Sequence, residues 1–278
     1  MTNDFSSEIW YNYIGGKYMS DLNDHEKEIV QTIKEFLMKI GTENNILKGN
    51  LLKKEVKDFL INNPNAFLLG LISDQSVKAE IAWSLPYHLK ERIGTFDFQK
   101  IVHLYDETKL EQVIKSKPAL HRYPSRMAVY LLSAIKDILE KYNGNAENIW
   151  KNKTAAEVVK KLEEFKGISH KKASLGALIL TRDLDINILD KQNIDIAYDT
   201  HIKKIFKRVG LVDDSTEENV LNSARKLNPD FPGELTTAFW TIGREYCYAS
   251  NPACLLCPLN KKKKKNMEDE DIEGVKVR

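Results

Sequence analysis

The stretch Phe165-Lys166-Gly167-Ile168-Ser169-His170-Lys171-Lys172-Ala173 decides how this chain folds. It separates two runs of helical pattern, KTAAEVVKKLEE before it and SLGALILTR after it. A glycine turn between two helices directs backbone N–H groups to the start of the second helix, which is a ready phosphate site. Gly167 can adopt the positive φ that such a turn requires. His170, Lys171 and Lys172 then fall in the first turn of the second helix, where positive charge opposes the helix dipole. They are not there to stabilise the helix. A lysine pair of this kind, taken alone, is a solvated surface feature. Its meaning depends on the rest of the chain.

Working outward, nearly every segment has helical periodicity. Asn23–Gly41 carries Ile29, Ile33, Phe36, Leu37 and Ile40 on one stripe and ends in glycine. Asn63–Gln75 is apolar nearly all round, the pattern of a central buried helix. Helices are further predicted over Ala79–Leu89, Phe98–Tyr105, Lys109–Lys115, Ser125–Tyr142, Ala155–Phe165, His170–Arg182, Thr200–Val209, Glu217–Leu227 and Gly233–Tyr246. No segment sustains the alternation a strand needs. Asp183–Ala197 reads as a loop or a short extended insert. The fold class is all-α, with no internal repeat.

The composition, 42% hydrophobic and 29% charged, is that of an ordered soluble protein; the net charge of +2 says little alone, and local clustering of charge matters more. The opening MTNDFSSEIW is polar and acidic, unlike a secretory signal. No apolar run approaches the roughly 18 residues of a membrane span. Three bunched cysteines make a poor disulfide framework. The expectation is an intracellular protein with no membrane contact. From Lys261 the sequence runs KKKKK and then EDED, a tail expected to be disordered.

Two further segments bear on chemistry. In IDIAYDTHIKKIFKRVG, Asp199 precedes a short basic amphipathic helix and suits its N-cap. Ile202, Ile205, Phe206 and Val209 would face a core, leaving Lys203, Lys204, Lys207 and Arg208 toward solvent or DNA. Near the C-terminus stands Gly-Arg-Glu-Tyr-Cys247, with Cys254 and Cys257 following at x6 and x2 spacing.

Together, F-K-G-I-S-H-K-K-A, Y-D-T-H-I-K-K-I and the spaced cysteines resemble the endonuclease III family of helix-hairpin-helix DNA glycosylases. The resemblance runs from about Asn63 to Asn260. It implies a two-lobed all-α fold with the active-site cleft between the lobes. One lobe would comprise residues 1–57 with 195–260, the other residues 58–194, leaving 261–278 as the tail. Lys171 matches the family's catalytic lysine and Asp199, in Asp199-Thr200-His201, its catalytic aspartate. Ser73-Asp74-Gln75-Ser76 resembles the segment whose glutamine fills the space left by an extruded base. His121-Arg122-Tyr123-Pro124 occupies the place of a second wedging loop. The implied DNA-binding residues are therefore Gln75, His121, Arg122, Gly167, Ile168, Ser169, His170, Lys172, Thr200 and His201.

The sequence departs from the family in three places. Ser169 replaces the second hairpin glycine, which would distort the turn or weaken its hold on phosphate. Lys171 and Asp199 stand 28 positions apart, farther than in the family, so Asp183–Asn193 reads as an insertion near the site. Cys247, Cys254 and Cys257 match three ligands of the family's iron–sulfur loop, but Lys263 holds the fourth position. Three occupants fit the loop: a [4Fe–4S] cluster with one iron otherwise ligated, a zinc ion with a non-cysteine ligand, or none.

A base cannot be attacked inside the stack, so the nucleotide must be turned out and the gap filled. The resemblance implies a monomeric bifunctional DNA glycosylase/AP lyase of base-excision repair. Its partner would be double-stranded DNA with a damaged base or abasic site. Lys171 as neutral amine would attack C1′ of an oxidised pyrimidine nucleotide, form a Schiff base and cleave the strand by β-elimination. Asp199 would take up the lysine proton or stabilise the sugar cation. The alternatives are an 8-oxoguanine or mismatch glycosylase on the same scaffold, and a damaged-DNA-binding module that cuts nothing.

Overall fold

The computed structural model of the chain describes residues 19–260. The tail expected from Lys261, with Lys263, lies outside the described residues. Among the described residues there are twelve α-helices, and extended pairing is confined to one isolated bridge, Thr154 with Leu189. The helices are α1 (Asp24–Ile40), α2 (Lys54–Ile61), α3 (Pro64–Ser73), α4 (Ala79–Ile93), α5 (Phe98–Leu104), α6 (Glu107–Lys115), α7 (Pro124–Lys141), α8 (Ala155–Glu163), α9 (His170–Arg182), α10 (Thr200–Arg208), α11 (Glu217–Leu227) and α12 (Leu235–Glu245). The chain divides into two units, one of residues up to Gly41 and from Asp195 onward, the other Thr42–Ile194.

The second unit is organised around α3. Asn63 caps its start by accepting from Ala66 N–H, and Pro64 supplies the preset φ of the first turn. Every residue from Ala66 to Ser73 is buried, as an all-round apolar sequence requires. α2, α4 and α7 pack on it. α9 approaches it closely at Gly176, where a Cβ would stand 2.6 Å from Leu71 Cδ2. α8 opens with a reciprocal capping box between Thr154 and Glu157 and packs along α9. Residues 183–197 form a loop with one short 3₁₀ turn, Lys191–Asn193. The loop is anchored: Asp183 is buried and accepts from Leu47 N–H at 3.0 Å, and Asp190 accepts from Ala155 N–H at 2.8 Å.

Residues 42–57, which the sequence assigns to the first lobe, belong to this second unit. The reason is local. Leu47 and Lys48 bond to Asp183 and Asp185, and α2 packs on α3. α2 itself escapes the sequence reading because its eight residues span little more than two turns.

The first unit brings α1 together with α10, α11 and α12. Asn23 and Glu26 form a capping box at the start of α1. Ile29, Ile33 and Phe36 of the predicted stripe are buried with Ile202, Ile205 and Phe206 of α10 and with Phe239 of α12. Each such side chain contributes about 1.5–3 kcal/mol by burial. Phe206 and Phe239 meet at 4.7 Å between ring centroids. At the edge of this core Lys226 donates to both oxygens of Glu26 at 2.7 Å, joining α11 to α1. Arg225 grips Asp195 through two bonds of 2.8 Å, a geometry suited to guanidinium and carboxylate.

Candidate active site

The hairpin turn is built by packing as much as by backbone preference. Phe165 is buried and stacks on Tyr142, with centroids 5.9 Å apart. Ile168 N–H donates to Phe165 O at 3.1 Å, closing the turn. Gly167 has φ +87°, and a Cβ there would lie 2.5 Å from Tyr130 Cδ2 and 3.3 Å from Gln75 Nε2. Only glycine satisfies both the torsion and the approach. Ser169 has φ −90° and ψ 170°, ordinary for an L-residue. The missing second glycine therefore distorts nothing, and the expectation of a distorted turn is corrected.

Asp74, Gln75, Gly167, Ile168, Ser169, Lys171 and Lys172 line a single open cavity of about 490 Å³. The sequence reading places five of these in the DNA-contacting set and Lys171 as the reacting group; the cavity gathers all six. Gln75 ends the α3 segment, and its Nε2 donates to Ile72 O at 2.8 Å.

Three of the residues expected at the DNA are buried. Lys172 is buried, and its Nζ donates to Ile72 O at 2.6 Å and Gly167 O at 2.9 Å. It fastens the hairpin turn to the end of α3 and is not a surface cation. Burial, with the Lys171 charge adding to it, pushes its ammonium down to about 8, while Asp74 pulls the other way. His121 is also buried. Its Nδ1 accepts from Tyr123 N–H at 3.0 Å and its Nε2 faces Gln75 O at 3.1 Å. These partners assign a neutral Nε2–H ring, and burial holds the imidazole below its ordinary value. His121 therefore sets the backbone at Gln75 and does not face solvent. Ile168 is buried, and its N–H is used inside the turn.

Other expected residues are on the surface. Arg122 is exposed, and its guanidinium and that of Arg126 stand 5.4 and 5.1 Å from the Tyr123 ring centroid. His170 is exposed, with Nδ1 2.7 Å from Glu163 Oε1.

Asp199, Thr200 and His201 belong to the first unit. Asp199 is the N-cap of α10: Oδ1 accepts from both His201 N–H and Ile202 N–H at 2.9 Å. Thr200 is exposed, and His201 packs over Gly243 of α12, where a Cβ would meet its Cβ at 2.6 Å. Lys203 and Lys207 are exposed as expected. Arg208 is not directed to solvent alone. Its guanidinium donates to Tyr248 O at 2.6 Å, Ala249 O at 2.8 Å and Cys247 Sγ at 3.3 Å.

That cysteine loop has Cys247 buried, Cys257 partly buried and Cys254 exposed. Burial pushes the Cys257 thiol up, and the nearby Cys247 and Cys254 thiols add to this. Among the described residues, no three His, Cys, Asp or Glu side chains converge as a metal-binding set. The Arg208 guanidinium ties the loop to α10.

Three residues of the site escape the sequence reading. Asp74 lines the cavity and accepts from Trp83 Nε1 at 3.3 Å. Burial raises its carboxyl, while Lys172, Lys171 and the Trp83 bond pull it back. An acid at the end of an all-apolar helix was the available signal. Tyr130 covers Gly167 from α7 and has no sequence signal of its own. Trp83 reads as core, which it also is.

Residues 69–229 match the profile described as HhH-GPD superfamily base excision DNA repair protein. No curated protein sequence matches the chain. Among solved structures, a trapped endonuclease III–DNA covalent intermediate aligns with TM-score 0.61 at 19% identity, over 87% of this chain and 98% of that one. A thermostable thymine-DNA glycosylase aligns with TM-score 0.59 at 12% identity, over 87% and 98%. An 8-oxoguanine glycosylase/lyase of Clostridium acetobutylicum, in complex with DNA, aligns with TM-score 0.51 at 16% identity, over 86% and 76%. At these identities the likeness is one of fold.

Proposed function

The chain belongs to the HhH-GPD superfamily of base excision DNA repair proteins, and on that premise we propose that it is a bifunctional DNA glycosylase/AP lyase acting on oxidised pyrimidines in double-stranded DNA. The observation that carries the reading is Lys171. It stands in the first turn of α9, beside the one hairpin glycine held at positive φ, and lines an open cavity with Gln75. Within this superfamily a lysine at the position is what the combined reaction requires; relatives without it use water and only remove the base.

Lys171 Nζ, as the neutral amine, bonds to C1′ of the extruded nucleotide while the bond from C1′ to the base breaks with its electrons on the base. The sugar ring then opens to an iminium. Loss of a C2′ proton expels the 3′ phosphate. Gln75, whose backbone His121 fixes, and the exposed Arg122 are the groups proposed to fill the gap in the duplex. Asp199, the N-cap of α10, is the proposed carboxylate partner. No step is assigned to the cysteine loop.

Borohydride trapping tests this reading. The wild-type protein should form a covalent adduct with duplexes holding an abasic site or thymine glycol, and Lys171→Ala should form none while keeping its helical signal. Binding without any adduct would overturn the lyase. A lesion panel including 8-oxoguanine and mismatches tests the substrate, and preference for either of those would replace oxidised pyrimidines.

A further inference from the structure

We propose that Asp74 is the proton acceptor for Lys171, preparing its amine for attack directly or through one water. The inference rests on the reading of Lys171 as nucleophile and deepens it. It begins from the cavity, where Asp74 is the one acid among the lining residues and Lys171 and Lys172 are the two cations. The two lysines are not equivalent. Lys172 is committed to Ile72 O and Gly167 O, so its ammonium is a fixed charge in the wall. Asp74 feels the charge of both.

Its surroundings suit it to receive a proton. It stands at the end of α3, and Trp83 of α4 holds its Oδ2. Trp83 offers a neutral donor. The charged groups acting on the carboxyl are Lys171 and Lys172 from α9; the titratable His121, from the segment before α7, bonds the backbone of the adjoining Gln75. Burial holds that imidazole below its ordinary value. Burial raises the proton affinity of Asp74 above that of a surface carboxyl, which narrows the gap a proton must cross from an ammonium.

The proton balance is simple. Lys171 as ammonium and Asp74 as carboxylate become amine and carboxylic acid, with no net change of charge in the cavity. The proton on Asp74 is then available to the departing base, whose anion needs one.

A purely structural Asp74 would merely balance the buried Lys172 charge, and the pH profile separates the two roles. Single-turnover trapping on abasic-site DNA would be followed from pH about 6 to about 10 for wild type, Asp74→Asn, Asp74→Glu and Lys172→Met. Asp74→Asn is expected to be slower by about 10²–10⁴-fold near neutrality. Its deficit should shrink as pH rises, because hydroxide can then take the proton that Asp74 would have accepted. Asp74→Glu should recover part of the rate with the wild-type profile. If Asp74→Asn does not fold, the double variant Asp74→Asn/Lys172→Met removes both buried charges and should show the same alkaline recovery relative to Lys172→Met. A deficit constant across pH, or none, overturns the proposal. Absence of a wild-type adduct instead overturns the lyase reading, and this inference with it.

Discussion

At the residue scale, Gly167 is the position where backbone and packing leave no alternative. Alanine there would combine a strained positive φ with a Cβ 2.5 Å from Tyr130. Gly167→Ala is expected to cost about 1–3 kcal/mol, read as a lower unfolding midpoint, and to weaken DNA binding because the turn must shift. Lys172 makes a prediction about pH. Its folded value of about 8 lies below the ordinary 10.5, so between those limits the unfolded chain holds the extra proton. Stability should therefore rise with pH across that window and be lost as pH falls through about 8. The slope is about 1.4 kcal/mol per pH unit at most. Lys172→Met should abolish the slope in denaturant titrations; a slope that persists would show that another group causes it. The sequence could not say which of the two adjacent lysines is buried. Neighbours on a helix differ by about 100° in direction, and only the position of α3 determines that Lys172 points inward and Lys171 into the cavity.

At the element scale, substitution can separate the observed cap of Asp199 from its proposed catalytic role. Asparagine caps a helix about as well as aspartate. Asp199→Asn should keep the stability of α10 and lose turnover, while Asp199→Ala should lose turnover and also about 0.5–2 kcal/mol of stability. Equal stability in both variants would deny the cap observed at Oδ1. Arg208 extends from α10 to the cysteine loop. Arg208→Met should raise amide exchange and proteolysis in residues 247–257 while leaving the buried face of α10, Ile202 and Phe206, protected. The helices themselves were legible, because a 3.6-residue apolar stripe is local information. The all-round apolar α3 announced its burial for the same reason. α2 was missed, since a helix of eight residues shows little periodicity and draws its stability from its neighbours.

At the scale of the whole molecule, one unit is continuous and the other is not. Thr42–Ile194 carries its own buried helix α3, and its partners all come from the same stretch. A fragment of those residues should fold cooperatively by itself. Residues 195–260 alone should not, because Ile29, Ile33 and Phe36 of α1 complete their core. Circular dichroism melts of the two fragments test this, and a cooperative melt of the second would refute the shared core. The sequence by itself determined every α-helix but α2, the hairpin with its obligatory glycine, the family, and Lys171 as the group to test. Each of these depends on residues close together in the chain. Tertiary structure alone decided that Lys172, His121 and Ile168 face inward, that residues 42–57 join the second unit, and that Asp74 shares a cavity with Lys171. Those facts depend on which surfaces meet after folding, and burial, unlike periodicity, belongs to no segment taken singly.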